Sequence, residues 1–254
     1  MIDWGELTLF IYILARMSGF VLFNPLLGRQ NIPGVFRGGF ILLLSVFPFS
    51  TAALKAPVPA TVMEMAFRIL LELALGYVLG LAVNFFFYIP QLAGFAIDTQ
   101  MGMTMNQVYD AGAQANLSVT SVLLNTLMTL LFFAANGHHT LLRIIITSQE
   151  IVPFGSAVIG GNLVNALLEL FIQCTILGVK LCMPILGAEL IGQLGMGILM
   201  KVIPQINVFS INIELKVLIG LGLLLLLVAP FSEFLLAAEL DMLESLDVLL
   251  TLAG

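Results

Sequence analysis

The side chains able to do chemistry are few, and none of them forms a reactive set. Asp98 and Asp110 are the acid pair of one irregular stretch, but their spacing matches no known acid–base signature. His138 and His139 are adjacent, so on a helix they point about 100° apart and do not converge on one metal. With no third histidine and no cysteine nearby, they read as a polar helix end or turn. Cys174 and Cys182 lie on one predicted helix, roughly 12 Å apart at about 1.5 Å per residue, too far for a disulfide. They read as buried, inert thiols. HExxH, Walker, GxSxG and CxxC patterns are all missing, so the chain is expected to be no enzyme and to hold no cofactor or metal.

The more telling polar residues sit inside apolar segments. Arg16 lies within Leu7–Leu27, Arg37 within Val35–Phe49, and Arg68 between Glu64 and Glu72 in Thr61–Ile89, while Lys180 and Glu189 interrupt Ala157–Leu199. A bare charge at a bilayer centre costs about 2.5–3.5 kcal/mol, so such residues normally face protein or water. These segments should therefore pack mainly against protein, around a conduit or a neighbouring subunit.

Composition supports a membrane setting. The chain is 60% hydrophobic and 9% charged, with a mean hydropathy of +1.11; soluble domains carry about 25% charged residues. The 254 residues accommodate about six segments of bilayer length. A net charge of −6 without any basic patch argues against nucleic acid as a partner. The opening Met1-Ile2-Asp3-Trp4-Gly5-Glu6 is acidic where a cleavable signal would be basic, so it is read as mature structure. Most of the nine Lys and Arg lie in or beside the apolar runs, which leaves the positive-inside rule without an orientation to report.

The expected fold is therefore all-α, a multi-helix membrane-associated protein of about six long, partly broken helices. The apolar blocks are approximately Leu7–Leu27, Val35–Leu54, Val62–Leu92, Leu117–Ile146, Ile159–Met200 and Val217–Leu250. Pro184 with Gly187, Gly192, Gly195 and Gly197 should split the fifth block, and Pro230 should kink or break the sixth. Gly28–Gly34 is a turn signal, and Lys55–Ala60, with two prolines, a surface loop. Gly94–Asn116 mixes glycine, methionine and amide side chains without a helical stripe and reads as one long irregular loop.

Two patterns could position subunits. Glu64, Arg68, Glu72, Gly76 and Gly80 recur every four residues and share one helix stripe. Its upper part can make two carboxylate–arginine pairs, and its lower part is a small-residue packing face. The stripe is either an intrahelical charge ladder or a surface for a neighbouring subunit. In the string Gly197–Phe209, Lys201 places a cation near a helix C-terminus, Pro204 enforces a turn, and Gln205 and Asn207 can satisfy freed carbonyls.

On these residues the chain resembles the FliR family of flagellar export-gate proteins, whose type III secretion counterpart is SctT, along nearly its whole length. The resemblance runs through Pro25, Gly28, Pro33 and Arg37, then Glu72, Gly76 and Gly80. It continues through Gly94, Ile97, Asp98, Gln100 and Gly102 and the Asn136-Gly137-His138 turn. The Pro204-Gln205-x-Asn207-Val208-Phe209 string with Lys216 is its most specific element. Glu214-Leu215 stands where the family usually has a proline, and Lys201 where arginine is common, which weakens a bidentate contact there.

The resemblance implies a single export-gate domain, residues 1–254, with a FliP-like part (1–155) and a FliQ-like part (156–254). It implies assembly with FliP-like and FliQ-like subunits and an FlhB-like protein in the bacterial inner membrane, at the flagellar basal body. The assembly would pass unfolded flagellar proteins. Lys201, Pro204, Gln205, Asn207 and Phe209, with Glu64, Arg68, Glu72, Gly76 and Gly80, would pack against other subunits. Asp98, Gln100, Met101, Gly102, Met103 and Met105 would belong to a segment that closes the channel. Its methionines are flexible and polarisable, and its glycines let the backbone move. The rival reading is a secondary transporter with helices broken at Pro184 and Pro230 and ion-binding carboxylates at Glu169 or Glu189.

Overall fold

A computed structural model describes residues 4–28, 32–51, 59–103, 107–110, 115–202 and 208–254. Among these residues eight helices run α1 (Trp4–Phe23), α2 (Gly34–Thr51), α3 (Val62–Met101), α4 (Val119–Ala134), α5 (Gly137–Ile151), α6 (Gly161–Val202), α7 (Val208–Leu226) and α8 (Val228–Ala253). Between α3 and α4, β1 (Gln107–Asp110) and β2 (Ala115–Ser118) form an antiparallel ribbon, with Gln107 opposite Ser118 and Asp110 opposite Ala115. The all-α expectation holds, with this small ribbon as the addition. Helices α1, α3 and α6 are each long and apolar enough to cross a membrane; the pairs α4/α5 and α7/α8 raise the number to five if each is one broken span.

The apolar blocks become helices with three corrections. The fifth block is not split: α6 runs unbroken for 42 residues with Pro184 inside it. One proline costs a helix about 3 kcal/mol and each glycine about 1, but many intact turns on both sides hold the ladder. The sixth block does break, at Leu227, with a 61° bend between α7 and α8. Pro230 then falls in the first turn of α8, where a missing N–H is tolerated. The fourth block is interrupted before α5 by Asn136, whose φ of 59° no helix accepts.

The third correction concerns Gly94–Asn116, which is not one irregular loop. Helix α3 continues through it for another two turns, and Ala93, Ile97 and Met101 form a fully buried i, i+4 stripe. The helix stops at Gly102, whose φ is +80°. Gly102 N–H donates to Thr99 C=O (3.2 Å) and Met103 N–H to Asp98 C=O (2.9 Å). That pair of bonds is a Schellman stop with Gly102 in the left-handed position.

The described chain gathers into two compact units, each built from segments on both sides of residue 155. The first comprises residues 1–86, 136–172 and 239–254; the second, 87–135 and 173–238. In the first unit α2 presents Ile41, Leu44, Ser45 and Pro48 inward, at spacings of three and four, and its Phe49 meets Phe10 of α1 edge-on at 5.6 Å. After α1, the Asn24 side chain accepts the N–H of Leu26 and Leu27 at 2.9 and 3.2 Å, and its backbone carbonyl accepts that of Gly28. This turn ends at Gly28, where the signalled turn Gly28–Gly34 begins; residues 29–31 of the latter lie outside the described residues.

Helices α1 and α3 cross backbone to backbone. A Cβ on Gly76 would strike the carbonyl of Arg16 and lie 2.8 Å from the Phe20 nitrogen; one on Gly19 would strike the carbonyl of Leu73; one on Gly80 would lie 3.0 Å from the Phe20 carbonyl. The small-residue face of α3 is therefore occupied by α1 of the same chain. Because the obstacles are backbone atoms, Gly76→Ala should cost at least the typical 1–3 kcal/mol of overpacking, about that order. Its readout is a lower melting temperature of the purified protein in detergent, with Gly34→Ala, which meets open space, as the unaffected control.

Candidate functional site

Two buried carboxylates organise the protein, one in each unit. In the first, Glu72 and Arg16 are both fully buried and form a two-pronged pair: Nε to Oε2 at 2.6 Å and Nη2 to Oε1 at 3.1 Å. The remaining arginine nitrogen, Nη1, donates to Ser148 Oγ (3.0 Å) and to the Val152 carbonyl (2.9 Å). The Phe154 ring lies 4.4 Å below the guanidinium. Glu72 Oε1 also accepts the Gly155 N–H at 2.7 Å. One arginine on α1 and one glutamate on α3 therefore fix the end of α5 and the segment after it. Planar guanidinium geometry suits this, since a lysine lacks the second prong.

Arg68 completes the strap from one turn earlier on α3. Its Nη1 donates to the Gly155 carbonyl at 2.8 Å, while Nε and Nη2 hold Glu64 Oε1 at 3.1 and 2.7 Å. Gly155, at φ +87°, thus has its N–H taken by Glu72 and its C=O by Arg68. The expected ladder, in which Arg68 neutralises both carboxylates, is corrected: Arg68 pairs with Glu64 at the surface, and Glu72 turns to Arg16. Burial decides it, because Glu72 is enclosed by α1 whereas the Arg68 and Glu64 side chains stay 27% and 35% exposed.

In the second unit Asp98 is fully buried near the end of α3. It accepts the Thr120 backbone N–H at 3.0 Å and the Thr120 hydroxyl. Thr120 is in the first turn of α4, where unpaired N–H groups and the positive end of the helix dipole favour an anion. Ser118, the N-cap of α4, accepts the Ser121 N–H, and Ser121 Oγ donates to the Gln91 carbonyl at 2.8 Å. Gly94 makes this closeness possible, since a Cβ there would run into the backbone of Thr120 and Ser121. Asp98 is thus an anchor that pins the last turns of α3 to the start of α4.

The remaining expected residues distribute as follows. Met101 is buried, Gln100 and Met103 are half-buried, and Gly102 is exposed. Lys201 is exposed in the last turn of α6. Met105, Pro204, Gln205 and Asn207 lie outside the described residues, as does the side chain of Phe209. Cys174 and Cys182 are both buried in α6. Among the described residues no cluster of histidine, cysteine, aspartate or glutamate could hold a metal ion. For the transporter reading, Glu169 is exposed, Glu189 is buried, and the helix break required at Pro184 is missing. Ser148, Gly155 and Thr120 were not singled out by sequence reasoning, because each acts only through backbone or hydroxyl contacts to a distant carboxylate or arginine.

Fold and site together define a multi-helix membrane protein in which buried Arg16, Glu72 and Asp98 are each met by groups of the chain itself. A sequence model of one family, "Bacterial export proteins, family 1", matches residues 7–240, and the chain belongs to that family. It is similar to the flagellar biosynthetic protein FliR of Bacillus subtilis (strain 168), 29% identical over 218 residues covering 82% of this chain and 81% of the relative. FliR of Escherichia coli (strain K12) is 25% identical over 82% of this chain and 80% of its own length. Yop proteins translocation protein T of Yersinia pestis is 24% identical over 83% of this chain and 82% of its own.

The two arginines should separate cleanly on mutation. Arg16→Met leaves Glu72 buried and uncompensated, a loss of about 3–5 kcal/mol, whereas Arg16→Met with Glu72→Met should recover most of it. Arg68→Ala removes a partly exposed pair and should cost less than about 1 kcal/mol from the ion pair itself. Denaturation midpoints of the four proteins in one detergent check the ordering; equal losses for Arg16→Met and Arg68→Ala would contradict it.

Proposed function

We propose that this chain is a structural subunit of a type III flagellar protein-export gate, which helps to form and close the channel that passes unfolded flagellar proteins. The single observation that carries this reading is the fixed stem of the closing segment. Asp98 ties α3 to α4, the Gly102 stop ends α3, and the methionine segment and β-ribbon follow. A seal needs such a stem, since an opening wide enough for an unfolded chain also passes ions. Gln100, Met101, Gly102, Met103 and Met105 act in this closure, with Asp98 as its anchor. The relatives' names, flagellar biosynthesis and Yop translocation, favour the same setting.

The assembly partners in this reading are FliP-like and FliQ-like subunits and an FlhB-like protein, in the inner membrane at the flagellar basal body. Residues 1–155 and 156–254 play the FliP-like and FliQ-like parts. Exposed apolar side chains along α6 favour a protein neighbour or lipid there: Ile191, Leu194 and Ile198 are 71%, 70% and 66% exposed. Lys201 is exposed in the last turn of that helix, and Pro204, Gln205, Asn207 and Phe209, which follow it in the sequence, act in this reading as contacts to other subunits. Glu64 and Arg68, partly exposed, border a second surface, while Glu72, Gly76 and Gly80 support it from within. No enzymatic step is part of the function, and transport couples to no cofactor held by this chain.

Replacing residues 104–116 by a short glycine–serine link, which spares Asp98, Gly102 and Ser118, tests closure. Co-expressed with FliP-like and FliQ-like subunits, the variant should purify in the complex at wild-type yield and raise ion leak through the membrane. Normal yield with unchanged permeability would refute a sealing role, and failure to co-purify at all with those subunits would refute the assembly.

A further inference from the structure

Met101 is the last residue of α3 and yet has no solvent exposure. Its thioether lies against Gly220 of α7: a Cβ on Gly220 would collide with Met101 Sδ and lie 2.6 Å from its Cγ. The same point is 3.3 Å from Oε1 of Glu189, on α6. Glu189 is 1% exposed, and this oxygen has no hydrogen-bond partner. Lys216 lies one turn before Gly220 on α7 and so shares its face. Yet Arg16–Glu72 and Arg68–Glu64 are the ion pairs within 4 Å among the described residues, and Glu189–Lys216 is not one of them. Met101, Glu189, Lys216 and Gly220 all belong to the second unit.

We propose that Gly220, flanked by Glu189, is a seat for the Met101 thioether and so a positioning site for the closing segment. With Met101 seated, the end of α3 is held in the closed arrangement. Gly220 is required because any side chain occupies the space the sulfur fills. Methionine suits the seat because its unbranched, polarisable side chain can enter and leave a shallow gap. Glu189 keeps the seat from becoming too deep. A buried carboxylate oxygen without a donor is unfavourable, and withdrawal of Met101 opens a path for a donor, Lys216 being the nearest cation on that face. Closure is thereby reversible.

This inference rests on the closing role proposed above, and its test is size compensation in the full complex. Ion conductance and flagellin secretion are compared for wild type, Gly220→Ala, Met101→Ala, the double variant and Glu189→Met. Gly220→Ala should expel Met101 and raise conductance several-fold. Adding Met101→Ala should bring conductance back toward the wild type, since two alanines refill the space together. Glu189→Met should lower secretion several-fold without leak, because the seat becomes wholly apolar. Should Gly220→Ala block assembly, recovery of assembly by Met101→Ala supports the seat and no recovery overturns it. Wild-type conductance in Gly220→Ala, or no relief in the double variant, overturns the proposal. So does unchanged or higher secretion in Glu189→Met. If the 104–116 replacement leaks while Gly220→Ala does not, the seat alone falls; if neither leaks, the closing role falls as well.

Discussion

Where a carboxylate enclosed by apolar helices is met by donors, the positions of those donors cease to be free. Glu72 and Asp98 impose this constraint on the two units. Glu72 takes two nitrogens of Arg16 and the backbone N–H of Gly155. Asp98 takes the backbone N–H and hydroxyl of Thr120. In each case the donors come from segments far along the chain, so satisfying one anion fixes a long-range arrangement. A buried pair of this kind adds little net stability over an apolar core, but it penalises every arrangement that leaves the charge unpaired.

Glycine does the complementary work. Gly19, Gly76 and Gly80 let α1 and α3 touch backbone to backbone, which brings Arg16 within reach of Glu72. Gly94 likewise lets α3 approach the start of α4, which brings Asp98 to Thr120. Close approach and anion satisfaction are therefore one device used twice. The same crossing explains why the polar stripe of α3 divides: its buried half faces α1, and its outer half, Glu64 and Arg68, stays near solvent.

The helical class and most apolar blocks were legible in hydrophobic run lengths, and Arg16 was conspicuous as a charge inside one. Its partner was not legible, because local spacing offered Glu72 an apparent mate in Arg68 and sequence carries no sign of a crossing between distant helices. The stripe Ala93, Ile97, Met101 running into Gly94–Asn116 was present but obscured by the run Asp98-Thr99-Gln100, of which Asp98 is answered by α4. Pro184 misled for a different reason: a proline surrounded by long apolar helix bends or strains it without ending it. Gly220 gave no signal at all, since its meaning lies in the Met101 side chain that fills the space above it.

The most direct test of this account is hydrogen exchange on the assembled complex, read at the amides of Gly155 and Thr120. Neither is held by a helix's own ladder: Gly155 follows α5, and Thr120 is in the first turn of α4. Amides in such places ordinarily exchange quickly. If Glu72 and Asp98 fix the framework as described, both should be protected like helix-interior amides, and each should lose protection when its own carboxylate becomes alanine. Rapid exchange at both in the wild-type complex would contradict the account.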